Sequence, residues 1–80
     1  MKQITIDVRT PLEFNSGHAS CSVNYPLNEL ESKIDELKDY ELVNIVCRSG
    51  ARAGTAQMIL MGAGIENVKN LGPWENAKCD

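Results

Sequence analysis

Leu42, Val43, Ile45 and Val46 form a β-branched run that ends at Cys47, and Arg48, Ser49, Gly50, Ala51 and Arg52 then lead into a helical pattern. A run of this kind, bounded by charge, suits a strand buried on both faces of a parallel sheet. Such a strand needs neighbours at both edges and helices over it, so it commits the chain to an α/β arrangement. Cys47 then stands at the carboxyl end of that strand, where open α/β sheets bind ligands. The first turn of the next helix points its unpaired N–H groups at the same spot. A thiol placed there feels the positive end of the helix dipole, and Arg48 and Arg52 add two cations. All three effects favour thiolate over thiol and make the sulfur a nucleophile near neutral pH.

The rest of the chain supplies the neighbours. Ile4, Ile6 and Val8 alternate with polar residues, the period of a first strand that delivers Asp7 and Arg9 near its end. Thr10, Pro11 and Glu13 mark a short helix: Thr10 caps, Pro11 takes the first helical position, Glu13 completes a capping box, and Gly17 ends the element. Val23, Asn24 and Tyr25 form a brief strand that Pro26 closes. Asn28 with Glu31 marks a further helix start, with Leu30, Ile34 and Leu37 on one stripe. Residues 51–63 form the second long helix, whose Ala56, Ile59, Leu60 and Ala63 share a face, and Gly64 is the C′ residue. Residues 66–71 form a last short strand, broken by Gly72 and Pro73. Strands alternating with helices give a small, mostly parallel sheet of about four strands with helices on both faces.

Eighty residues suffice for one domain, spanning 1–80. With 42% hydrophobic and 24% charged residues the composition is that of a globular chain, and a net charge of −3 gives no reason to expect a nucleic-acid partner. No apolar run approaches the ~20 residues of a membrane span. As given, the chain reads as cytoplasmic, or as periplasmic if a signal peptide has been removed. Its three cysteines stand at unrelated spacings without a C-x-x-C pair, so neither a disulfide framework nor a zinc site is expected and reduced thiols are the default. Cys21 and Cys79 then read as incidental. Asp7 and Arg9 read as a structural tie between loops, His18 as a hydrogen-bonded structural histidine, and Trp74 as an apolar cap on a small core.

The loop from Cys47 to Arg52 closely resembles the active-site loop of the rhodanese-like domains, the single-domain sulfurtransferases. Residues 6–11 with Glu13 and Phe14 resemble that family's opening signature, and Gly17, His18 and residues 23–27 its second block. Residues 64–68 with Asn70, Leu71 and Gly72 resemble its closing block. The short form most similar is the phage-shock type of thiosulfate sulfurtransferase. This resemblance implies a Cys47 that takes a sulfane sulfur from thiosulfate or a persulfide donor, carries it as a persulfide, and passes it to cyanide or a thiol. It also implies that Arg48, Ser49, Gly50, Ala51 and Arg52 cradle the anionic substrate, without metal or organic cofactor. No membrane and no particular protein partner is implied.

The chain departs from the family pattern in three places. Ser20 and Cys21 stand where a proline and a glycine are usual after the histidine block, and Pro73 where a second glycine is usual. The amino-terminal strand and helix of longer members are absent, which leaves part of the sheet edge open or covered otherwise. The alternatives to sulfur transfer are a non-catalytic interaction module and a cysteine-dependent phosphatase or arsenate reductase. Loop length separates the last pair: the spacing here is C-x4-R, one residue shorter than the phosphatase cradle. A shorter ring has one N–H fewer and suits a thiolate with an incoming sulfur atom rather than a full phosphoryl group.

Overall fold

Four short strands pair side by side into one parallel sheet of order β2-β1-β3-β4, in a computed structural model that describes residues 2–79. They are β1 (Gln3–Asp7), β2 (Ser22–Asn24), β3 (Leu42–Cys47) and β4 (Val68–Pro73). β3 lies between β1 and β4, with Ile4 opposite Val43 and Ile6 opposite Ile45. Val43, Ile45 and Val46 are fully buried, the two-sided burial that their β-branched run implied.

The helices are α1 (Pro11–Asn15), α2 (Ile34–Leu37) and α3 (Ala51–Gly62). The step from β1 to β2 runs one way along the sheet, and the steps from β2 to β3 and from β3 to β4 run the other. Right-handed crossovers therefore place α1 on one face and α2 with α3 on the opposite one. On the α2/α3 face Ile4, Ile6, Val43, Ile45 and Cys47 pack with Leu30, Leu37, Ala53, Ala56 and Leu60 into the main core. The small side chains Ala53 and Ala56 let α3 lie close on the sheet.

Local sequence sets the element ends. At α1 the Thr10 hydroxyl accepts the Glu13 N–H at 3.3 Å, and a Glu13 carboxylate oxygen accepts the Thr10 N–H at 3.1 Å, which is a complete capping box. α3 stops at Gly62. Gly64 then takes φ +94°, its N–H reaches the Met61 carbonyl at 3.1 Å, and the Ile65 N–H reaches Leu60 at 3.0 Å. That pair of bonds satisfies carbonyls the helix end would leave bare.

The last strand begins at Val68 and runs through Gly72 and Pro73 instead of breaking there, pairing them with Val46 and Cys47. Two further expectations need correction. No helix is capped by Asn28: Leu27–Lys33 is a 3₁₀ stretch, only Ile34–Leu37 is α-helical, and neither start has a side-chain cap. Leu27 and Leu30 stand three apart, the 3₁₀ period. The Glu29 N–H bonds the Pro26 carbonyl at 2.8 Å, and the Ser32 hydroxyl bonds the Glu29 carbonyl at 2.7 Å, which favours the tighter turn. Leu30 and Leu37 still reach the core.

The second correction concerns the cysteines. Cys21 and Cys79 are joined in a disulfide, with Cα atoms 5.4 Å apart, so they are neither reduced nor incidental. Spacing could not show this, because the two lie 58 residues apart. It is the topology that brings them together. After β4, at one edge of the sheet, the chain turns through Trp74–Asn76 and returns across the face to meet Cys21, just before β2 at the other edge. Asn76, Lys78 and Cys79 line one side of a shallow groove of about 670 Å³, and Gln3, Thr5, Asn44 and Lys69 of the sheet line its floor. No helix among the described residues is long and apolar enough to cross a membrane.

Candidate active site

β3 carries Cys47 to the carboxyl edge of the sheet, and the chain must turn within three residues to begin α3. Gly50 makes the turn at φ +103°, and a Cβ on it would come within 3.3 Å of the Gly72 Cα. Glycine alone takes that conformation without strain. Gly50 is also the N-cap of α3 and has no side chain to offer the first helical turn. The sulfur fills that role: Cys47 Sγ accepts the N–H of Gly50 at 2.9 Å and of Ala53 at 3.4 Å. Ala53 is the third helical residue, whose N–H a capping Ser or Asp would otherwise take.

Burial pushes the Cys47 thiol up, but the backbone N–H groups of Ala53, Gly50, Ser49 and Arg52 outweigh it and bring the thiol below its ordinary value. From the sequence, the helix start and two guanidiniums are expected to act together. The lowering comes from the backbone donors. Cys47 itself is 1% exposed and lies at the floor of the loop, while Arg48, Ser49 and Ala51 are exposed along its rim.

Arg52 is placed differently from a free anion receptor. Its Nη1 and Nη2 bond the two carboxylate oxygens of Glu13 at 2.7 and 2.9 Å, a bidentate pair whose side chains are each about a third exposed, 34% and 30%. Arg52, together with the Thr10 N–H, holds the Glu13 carboxyl down at about 2, and Glu13 in turn raises Arg52. Glu13 thus caps α1 and clasps the first turn of α3 with one side chain. Its capping role was legible from the Thr10–Glu13 spacing, but the second partner lies 39 residues away and left no local signal. Arg48 makes no ion pair among the described residues.

Asn70, named above only within the closing block, has a part in the loop as well. Its Nδ2 donates to the Gly50 carbonyl at 3.0 Å and its Oδ1 accepts the Gly72 N–H at 2.9 Å, so β4 braces the loop at the glycine that makes its turn. An Asn two residues before a Gly is an Asx-turn signal that could have marked it. The neighbouring Asp7 and Arg9 are buried and paired at 2.7 Å, and Arg9 also donates to the Gly17 carbonyl at 2.7 Å under the Trp74 ring. They tie β1 to the loop after α1. His18 stacks on Phe14 and donates through Nδ1 to the Phe14 carbonyl at 2.8 Å, a structural histidine as its isolation suggested.

The family model of the rhodanese-like domain matches residues 1–75. The chain belongs to the rhodanese-like domain family. An E. coli rhodanese solved with anions superposes with a TM-score of 0.85 at 28% identity, covering 98% of this chain and 94% of that one. Among curated relatives, the thiosulfate sulfurtransferase PspE of Escherichia coli is 32% identical over 69 residues, 84% of this chain and 66% of PspE. The uncharacterized protein YqhL of Bacillus subtilis is 35% identical over 66 residues, 82% of this chain and 52% of YqhL. This rhodanese-like chain therefore spans between half and two thirds of the length of these two relatives.

Proposed function

We propose that the chain moves a sulfane sulfur through a persulfide on Cys47, taking it from thiosulfate or an organic persulfide and giving it to cyanide or a thiol. The observation that carries this reading is the free thiol of Cys47, held by backbone N–H groups at the start of α3. The thiolate attacks the outer sulfur of thiosulfate, the S–S bond breaks, and sulfite leaves with the electron pair. Cyanide then attacks the outer sulfur of the persulfide, leaves as thiocyanate, and returns the Cys47 thiolate. Each step moves one sulfur atom and one electron pair, so the cycle needs no metal or redox cofactor. The N–H groups of Arg48, Ser49, Gly50, Ala51 and Arg52, with the Arg48 charge, are suited to stabilise the anions that arrive and leave.

Membership of the family and the name of PspE support sulfur transfer over an interaction module. The C-x4-R ring supports it over phosphate or arsenate chemistry. The disulfide supports the periplasmic or another oxidising setting over the cytoplasmic one, because such bonds persist where glutathione does not reduce them. Two free thiols at Cys21 and Cys79 in protein taken directly from its own cell, with alkylation during lysis, would contradict that placement.

Intact mass tests the chemistry. After thiosulfate the protein should be one sulfur atom heavier, should lose that mass with cyanide, and should show neither change as Cys47→Ser. Phosphate release from an aryl phosphate that depends on Cys47 and exceeds sulfur transfer would overturn the reading.

A further inference from the structure

We propose that Glu13 sets the charge at the mouth of the loop and biases the site toward organic persulfides of low charge over the thiosulfate dianion. This rests on Cys47 being the sulfur acceptor. The loop brings two guanidiniums to the mouth, and on charge alone it would favour a dianion. Glu13 cancels one of them: both terminal nitrogens of Arg52 are engaged by its carboxylate, in a geometry that the capping box at Thr10 fixes from the other side. Arg48 is left as the cation without an ion pair among the described residues. A donor approaching Cys47 therefore meets a net positive charge near one rather than two. It also meets the Glu13 carboxylate held against the Arg52 guanidinium at 2.7 and 2.9 Å.

The surroundings of Arg52 point the same way. Arg52, the last residue of the Cys47 loop, also lines an open hollow of about 440 Å³ that is apolar at Val8, Pro11, Pro26 and Leu27 and polar at Thr10, Asn28 and Glu29. Its apolar walls suit the organic body of a thiol persulfide whose outer sulfur reaches past Arg52, and they offer thiosulfate nothing. Transfer from such a donor balances as before: the Cys47 thiolate attacks the outer sulfur, the donor S–S bond breaks, and the donor leaves as its thiolate. Glu13 touches neither sulfur. It is a positioning and specificity residue that acts through Arg52.

The test compares three sulfur donors near pH 7: thiosulfate (charge −2), the persulfide of 2-mercaptoethanol (−1) and the persulfide of cysteamine (net zero). Persulfide formation on Cys47 is followed by rapid-quench mass spectrometry. Glu13→Gln removes the negative charge and keeps an oxygen that can accept from Arg52. It should raise kcat/KM for thiosulfate about three- to tenfold relative to cysteamine persulfide, chiefly through KM, as expected for removing one unit charge from a partly exposed pair. Arg52→Gln should do the reverse. The double variant Glu13→Gln/Arg52→Gln restores the wild-type net charge and should return the donor ratio to near the wild-type value. That result also stands in if either single variant folds poorly. Equal factors on all three donors, or a double variant whose ratio stays far from wild type, would show that the pair is only structural. Normal persulfide formation with an unmoved donor ratio overturns the Glu13 role alone, whereas no persulfide from any donor removes the sulfur-transfer reading and this inference with it.

Discussion

At the scale of single residues, the chemistry of Cys47 follows from a substitution of roles: a sulfur stands where a helix ordinarily receives an oxygen cap. The backbone N–H groups of Ala53 and Gly50 reach it because Gly50 has no side chain to compete. The thiolate is therefore stabilised by groups that no surface mutation removes. Cys47 should be alkylated by iodoacetamide with a rate-versus-pH midpoint below the ordinary thiol value of about 8.5, and 1 M salt should move that midpoint little, since close backbone donors are screened far less than distant charges. A midpoint equal to that of a free thiol would contradict the geometry. The position of Cys47 was legible because a buried strand, a glycine and a helix follow one another within a dozen residues. The Glu13–Arg52 pair was not, because nothing local to either residue encodes a partner in another helix.

At the scale of elements, the loop keeps its shape through β4 as much as through its own sequence. Asn70 joins the Gly50 carbonyl to the Gly72 N–H, and an irregularity in the β3–β4 register between Ile45 and Val46 sets Gly72 beside Val46. Asn70→Ala removes both bonds and should cost about 1–2 kcal/mol in urea unfolding. It should also lower kcat/KM for thiosulfate by a larger factor than Lys69→Ala, at the adjacent β4 position facing the groove. Matching kinetics for the two variants would separate Asn70 from the loop's function. The capping signals at Thr10, Glu13 and Gly64 held, since each satisfies backbone groups within four residues of itself, whereas the one at Asn28 failed. The 3₁₀ stretch was misread because the stripe of Leu30, Ile34 and Leu37 has the α period, while hydrogen bonds at Pro26 and Ser32 tighten the turns that lead into it.

At the scale of the whole molecule, one long-range bond does what a larger core does in bigger domains. A small domain buries little surface, and the Cys21–Cys79 disulfide spans 58 residues of the chain. Reduction, or Cys21→Ser, should lower stability by about 2–4 kcal/mol, read as a drop in the urea midpoint, while sulfur loading of Cys47 persists below the transition. An unchanged midpoint would show the bond to be dispensable. The parallel topology itself was legible, because each strand is short and separated from the next by a helical segment, and the central one is a β-branched run. The strap across the sheet was not, because chain return is a property of the finished fold.

That strap also governs how the molecule would yield to tension. A pull between the two ends of the oxidised chain can straighten little beyond the stretch before Cys21, since everything from β2 to the tail lies inside a covalent ring. Breaking the bond frees 58 residues, about 200 Å of extended backbone at roughly 3.5 Å each. Oxidised, the chain can lengthen only through the residues before Cys21, about 70 Å at the same rise per residue. Reduced, it is a spring.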